Sequence, residues 1–261
     1  MQPASLYHSP RLAAGYARSR PPVHAQIVDA VRKRFEELGI ERAGLALDLG
    51  CGAGLSTEAL SPLAARVVGL EPALPMLAHH AAVAPKALFV AGRAEELPFR
   101  DSAFDLLAAA GSLNYTNLAL VLPEAARVLD PDGAFIVYDF SAGRRLVDDP
   151  RLDRWFASFE GRYPFPPGYA MDVRELGFAD AGLRLVRFEE FHVVVAMTAG
   201  TYQAYAMSET NVEQAVASGV PEESIAAWCG ETLGEIFGDG ARDVLFDAYV
   251  AYIRPTLLSA A

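Results

Sequence analysis

In "LALDLGCGAGLS", residues 45–56, an apolar run stops at Asp48 and opens into Gly50, Gly52 and Gly54. A strand that delivers its carboxyl end into glycines and then into a helix N-terminus brings ligands to the top of an open α/β sheet. Backbone without side chains bends tightly there and leaves main-chain amides open to a ligand. The chemistry on offer is binding of a polar small molecule against backbone N–H groups. The dinucleotide pattern G-x-G-x-x-G is not met, because Leu55 occupies its sixth position.

Other reactive side chains are sparse. His8 and His24 lie near the N-terminus, His79 and His80 on a helix expected to be solvated, and His192 in a strand, so each reads as structural or surface. Cys51 sits inside the glycine loop and Cys229 in a helical stretch, a distribution that predicts no structural disulfide. No metal ligand set is expected. Across 261 residues, 22 Lys and Arg face 33 Asp and Glu, a net charge of −11 with no basic run to follow a phosphate backbone. Nucleic acid is therefore not an expected partner. The N-terminal stretch carries Pro and Arg where a signal peptide would be apolar, and no segment has the length of a membrane span, which predicts a cytoplasmic protein with no membrane partner.

The elements that must position the glycine loop follow from periodicity. Val23, Ile27, Val31, Phe35 and Leu38 share one helical face, and Gly39 stops that helix. Short apolar strands then alternate with amphipathic helices: "LALDL", "RVVGLE" ending at Glu71, "ALFVA", "FDLLAAA" and, after the turn "DPDG", "AFIVYDF". Strands this apolar, separated by crossover helices, predict a parallel sheet covered on both faces. The helix before the fifth strand carries Pro123. Beyond residue 140 the rhythm changes to a helix near 150–160, an aromatic loop at 163–169, a sixth strand at 183–197, a helical stretch at 198–238, and a seventh strand rich in Tyr, Val and Ile at 244–255.

Asp48 with its three glycines, "VVGLEP", "AGRAEELPFRDSAFDLLAAAGSLNYTN" and "EAARVLDPDGAFIVYDF" follow one another at separations that resemble the class I S-adenosylmethionine-dependent methyltransferases, from about residue 16 to 140. The resemblance implies an α/β fold with a doubly wound, seven-stranded, mostly parallel Rossmann-like sheet. It also implies S-adenosylmethionine as cofactor. Carried over by position, backbone at Gly50, Cys51, Gly52 and Gly54 would lie against the methionyl part, and Asp48 would orient the loop or meet the ammonium group. Glu71 would accept both ribose hydroxyls, which suits a carboxylate, with Pro72 beside it. Met76 would cover the adenine, Ala94 and Glu95 would meet its edge, and the Gly111 carbonyl would approach the amino group. Tyr16 and Arg20 resemble a segment that closes over the cofactor carboxylate, a task for which Arg is apt. Arg93 departs from the Asp common at that position and cannot accept the adenine amino hydrogen bond, which leaves Glu95 or main chain to do so.

The remaining expectations concern organisation and acceptor. Residues 1–40 would form an N-terminal helical segment closing over the cofactor, 41–197 and 241–261 the cofactor-binding core, and 198–240 a helical cap inserted between the last two strands. Trp155, Phe156, Phe159, Tyr163, Phe165, Tyr202, Tyr205 and Trp228 concentrate in the segments expected to overhang the sheet, where they would be core or would line a substrate pocket. Asn114, Tyr115, His192, Tyr202 and Tyr205 are the candidate substrate contacts. The reaction implied is transfer of a methyl group to an oxygen or nitrogen of a small-molecule acceptor by a monomer or homodimer. A tRNA or protein methyltransferase is disfavoured by the acidity, and a cofactor-binding regulator without turnover is the reading from a different class.

Overall fold

The apolar runs between 43 and 140 become parallel strands, as residues buried on both faces of a covered sheet require. In chain order, the computed structural model has α1 (Pro10–Ser19), α2 (Val23–Glu37), β1 (Ala43–Leu49), α3 (Leu55–Ala59), β2 (Ala64–Glu71), α4 (Leu74–Leu77), α5 (His80–Val83), β3 (Leu88–Ala91) and β4 (Phe104–Ala110). There follow α6 (Leu118–Val128), β5 (Leu129–Phe140), β6 (Arg145–Leu146), α7 (Arg151–Arg162), β7 (Leu183–Met197), α8 (Ala199–Met207), α9 (Thr210–Ala217), α10 (Glu222–Phe237) and β8 (Arg242–Pro255). The structure describes residues 6–166 and 171–256, so 167–169 of the expected aromatic loop lie outside the described residues.

The chain divides into two compact units, and β5, β7 and β8 contribute residues to both. The sheet unit comprises His24–Asp139, Tyr169–Phe191 and Ala248–Ala261. Its strand order is β3-β2-β1-β4-β5-β8, with β7 also paired to β8. Pairings β1 with β2 and β4, β2 with β3, and β4 with β5 are all parallel, so these strands share one carboxyl edge. Leu47, Leu49, Val68, Leu70, Leu107, Phe135 and Val137 form the core with Val121, Leu122 and Ala125 of α6. The helix α2 belongs here rather than to a separate N-terminal segment, because Phe35 packs against Tyr252 (6.3 Å between ring centroids) and Arg34 pairs with Glu189 at 2.7 Å.

The helical unit comprises Met1–Val23, Phe140–Gly168 and His192–Asp247, and therefore extends well outside the expected 198–240. Its helices are α1, α7, α8, α9 and α10, and the two-residue β6 pairs antiparallel with β8 at Arg145↔Leu245 and Leu146↔Val244. This short pairing is the eighth strand among the described residues, where seven were expected. The aromatics fill the interior. Trp155 stacks on Phe159 at 5.1 Å and on Trp228 at 5.5 Å, with Tyr202 edge-on at 5.8 Å. The polar tips are satisfied, since Trp155 Nε1 donates to Thr232 Oγ1 (2.7 Å) and the Tyr202 hydroxyl to the Gly143 carbonyl (2.6 Å). Among the described residues, no helix is long and apolar enough to cross a membrane, and no group of three or more His, Cys, Asp or Glu is arranged to hold a metal ion.

Candidate functional site

The carboxyl edge of the sheet unit gathers the glycine loop and two carboxylates. In register, Asp48 of β1 lies opposite Gly69 of β2 and Ala108 of β4, one residue before the strand ends at Leu49. The chain then turns back on β2, with Gly50 and Cys51 both donating backbone N–H to the Leu70 carbonyl (2.8 and 3.0 Å). Gly50 has φ +68°, and a Cβ there would stand 2.5 Å from Ser112 Cβ, so only glycine lets the β1 and β4 exits come this close. The Ser112 hydroxyl closes that approach by donating to the Leu49 carbonyl at 2.5 Å.

Asp48 is fully buried. Its Oδ2 accepts from both hydroxyls of the first turn of α3, Ser56 at 2.6 Å and Thr57 at 2.7 Å, which pins the helix N-terminus to the strand. Its Oδ1 is buried with no hydrogen-bond partner among the described residues. Burial, reinforced by the charge of Glu71 and opposed by the two hydroxyls, pushes the carboxyl up to about 6. An acceptor atom withdrawn from water without a donor costs about 1–3 kcal/mol, more when charged. A buried acceptor of this kind is chemically suited to a cationic or N–H donor.

Glu71, at the end of β2, is buried and aimed by the main chain: Gly52 N–H donates to Oε2 (3.0 Å) and Ala73 N–H to Oε1 (2.8 Å). A carboxylate offers about four lone-pair directions, so orientation by two amides is compatible with accepting hydroxyls from a ligand. The Cys51 thiol lies beside both acids. Burial first, then the charges of Asp48 and Glu71, raise it far above the ordinary thiol range, which keeps it neutral and unreactive.

The other expected contacts divide between the units. In the sheet unit, Met76 and Ala94 are buried and Pro72 is exposed. Glu95 Oε1 accepts from the Asn117 N–H at 3.0 Å, ahead of α6, and lies 3.4 Å from the exposed Arg93 guanidinium. Gly111 follows β4 with φ +61°, and its N–H donates to the Tyr138 carbonyl (2.9 Å). Asn114 has a buried Oδ1 with no partner among the described residues, whereas Tyr115 is exposed.

Tyr16, Arg20, His192, Tyr202 and Tyr205 all belong to the helical unit. Arg20 pairs there with Glu209 at 2.6 Å, with its guanidinium over the rings of Tyr16 (4.5 Å) and Tyr205 (5.2 Å). Burial opposes its charge, but Glu209 and the tyrosines outweigh that and hold it ionised. His192 is exposed and bonds Asp247 at 2.9 Å. Tyr202 and Tyr205 are interior residues of that unit.

Ser56, Thr57, Ser112 and Glu209 escaped the sequence reading. Ser56 and Thr57 lie in the first turn after the glycine loop, where hydroxyls are the signal that could have marked them, whereas Ser112 follows Gly111 at the exit of β4 and meets Leu49 only across the sheet. Glu209 lies 189 residues from Arg20, a separation no local pattern bridges.

Known proteins resemble this chain in sequence and fold. The sequence profile of the family described as "Methyltransferase domain" matches residues 47–137. An uncharacterized methyltransferase of Synechocystis, sll0829, is 32% identical over 165 residues, which cover 59% of this chain and 76% of that protein. The ubiquinone/menaquinone biosynthesis C-methyltransferase UbiE of Methylobacterium nodulans is 33% identical over 124 residues, 38% of this chain and 48% of its own length. The chain thus spans about half the length of several curated relatives it matches. Among solved structures, a chain of Anaeromyxobacter dehalogenans provisionally named a type II methyltransferase superposes with TM-score 0.64 at 20% identity, covering 87% of this chain and 96% of that one.

Proposed function

Because the chain belongs to the class I S-adenosylmethionine-dependent methyltransferases, we propose that the carboxyl edge of β2, β1 and β4 holds S-adenosylmethionine and that the enzyme methylates an oxygen or nitrogen of a small molecule. The observation that carries this reading is Glu71, a buried carboxylate fixed by the N–H groups of Gly52 and Ala73 at the end of the strand next to the glycine loop. In that position it accepts the two ribose hydroxyls. Gly50, Cys51 and Gly52 present backbone to the methionyl part, and Asp48 Oδ1, buried without a hydrogen-bond partner among the described residues, fits the ammonium group. Met76 covers the adenine, with Ala94 and Glu95 at its edge, and the Gly111 carbonyl meets the amino group. Glu95 is shared with Asn117 and Arg93.

The cofactor, when bound, supplies a methyl group on a sulfonium, ready for in-line displacement. What the protein contributes is alignment. Asp48 and Glu71 are held by hydrogen bonds before any ligand arrives, so little reorganisation is left for the reactive complex, and positioning of this kind accounts for a large part of a barrier reduction. The two carboxylates also set a negative field along the edge where a cation must sit.

A second reading, an activated carbon as acceptor, is favoured by the name of the Methylobacterium relative, a C-methyltransferase. Incubation with labelled S-adenosylmethionine and a panel of alcohols, amines and quinols separates the two. The cofactor site is tested by calorimetry with S-adenosylhomocysteine, NAD serving as control. Glu71→Ala is expected to raise the dissociation constant by about 30-fold or more, the equivalent of losing one or two charged hydrogen bonds. An unchanged constant would sink the ribose assignment.

A further inference from the structure

The parallel strands of the sheet unit end on one edge in the order β2, β1, β4, β5. The acids already placed lie at the ends of the first two, Glu71 as the last residue of β2 and Asp48 as the last but one of β1, on the nucleoside and methionyl sides. The strand on the far side, β5, carries a third acid, Asp139, as its last residue but one. It lies against Gly111. A methyl group built on Gly111 would lie 2.8 Å from Asp139 Oδ1 and 3.2 Å from its Cγ, so the carboxylate rests on the open face of that glycine. Register sets up the approach, since Ala110, the last residue of β4, pairs with Tyr138, and the residues that follow them are Gly111 and Asp139. Any side chain at 111 would displace it. Tyr249 is close enough to feel it: burial first, then the charges of Asp139 and Asp172, hold that phenol above its ordinary range.

We propose that Asp139 is the acceptor-side residue of the site, a carboxylate that accepts a hydrogen bond from the O–H or N–H of the methyl acceptor and takes its proton as transfer proceeds. This rests on the cofactor reading above and deepens it: the strand order puts Asp139 beyond Gly111, on the side away from the ribose-binding acid. The step balances. The acceptor's lone pair forms the new bond to the methyl carbon, the carbon–sulfur bond breaks with its electron pair left on a neutral thioether, and the acceptor's proton moves to a carboxylate oxygen of Asp139. The expected contacts serve less well as bases. Asn114 is an amide without basicity, Tyr115 is exposed, and His192 is exposed and already bonds Asp247. The acceptor class that follows is a hydroxyl or amine compound.

The test needs no knowledge of the acceptor. Sinefungin carries an amine where the transferred methyl sits, so its ammonium reports on the group facing that position. Calorimetry would compare sinefungin with S-adenosylhomocysteine on the wild-type protein, on Asp139→Asn and on Asp139→Ser, the second variant covering a folding failure of the first. Sinefungin is expected to bind the wild type about 10-fold or more tightly than S-adenosylhomocysteine, the size of one charged hydrogen bond. In either folded variant that ratio should approach one, with the S-adenosylhomocysteine constant within twofold of wild type, and Asp139→Glu should restore part of it. Equal affinities in the wild type, a ratio that survives substitution, or a parallel loss of both ligands would overturn the proposal while leaving the cofactor site standing. Binding of neither ligand to the wild type would overturn the cofactor reading and this one with it.

Discussion

Arg20 Nη1 stands 2.6 Å from Glu209 Oε1, with 11% and 9% of the two side chains exposed. Removing one partner of such a pair leaves an uncompensated charge in the interior, which costs about 3–5 kcal/mol. Glu209→Gln is therefore expected to lower the melting temperature by roughly 6–12 °C in thermal circular dichroism. Replacing both partners, Arg20→Met with Glu209→Leu, should recover most of that loss. A shift no larger than a degree or two for Glu209→Gln would show that the pair behaves like a surface bridge.

Asp48 gives a pH signature. Its carboxyl is pushed up to about 6 in the folded protein, against an ordinary value of about 3.9. The folded state therefore keeps a proton that the unfolded chain releases, and this group's contribution to stability falls as pH rises from about 4 to 6, then levels off. Asp48→Asn should remove that component, so wild-type minus variant stability is expected to decline across the window. A ligand ammonium favours the ionised form, so S-adenosylhomocysteine affinity should rise with pH through about 6 in the wild type and stay flat and weaker in the variant. Parallel pH profiles for the two proteins would refute the assignment.

The strand ends were legible because chemistry changes abruptly there: apolar runs stop at Asp48, Glu71 and Gly111, and a folded sheet has few other ways to use such a break. Asp139 ends an apolar run in the same manner, yet no resemblance attached a role to it, and only the Gly111 contact gives it one. The start of β5 was hidden by Pro131 and Gly133, which read as a turn. The structure carries the strand through them back to Leu129, where the pairing with β4 shifts register between Phe104 and Leu106, the kind of irregularity that accommodates Pro in a sheet. The two residues of β6 are too few to show a period.

Gly50 tests how closely the β1 and β4 exits must approach. Gly50→Ala places a side chain at φ +68° and 2.5 Å from Ser112 Cβ, and the left-handed backbone alone costs about 1–2 kcal/mol. The expected outcome is a lower urea midpoint at unchanged slope, together with loss of S-adenosylhomocysteine binding. Adding Ser112→Gly removes the collision but not the backbone cost, so partial recovery of the midpoint separates the two contributions. A midpoint equal to wild type for the single variant would show that the loop opens freely.

Composition alone could not say whether the aromatics after residue 150 were core or pocket, because both are apolar and ring-rich; stacking geometry decides it for Trp155. With Phe159 and Trp228 parallel on it at 5.1 and 5.5 Å, and its Nε1 donating to Thr232 at 2.7 Å, this side chain is an interior strut of the helical unit. Trp155→Ala removes the stack and leaves the Thr232 hydroxyl without its donor, an expected loss of about 3–5 kcal/mol. Trp155→Phe keeps the ring contacts but not the hydrogen bond, and should cost about 1–2 kcal/mol. Chemical denaturation followed by circular dichroism reads both. If instead both variants kept wild-type stability and changed only the KM for a methyl acceptor, Trp155 would be a substrate contact, and the cluster would have to be read as a pocket wall.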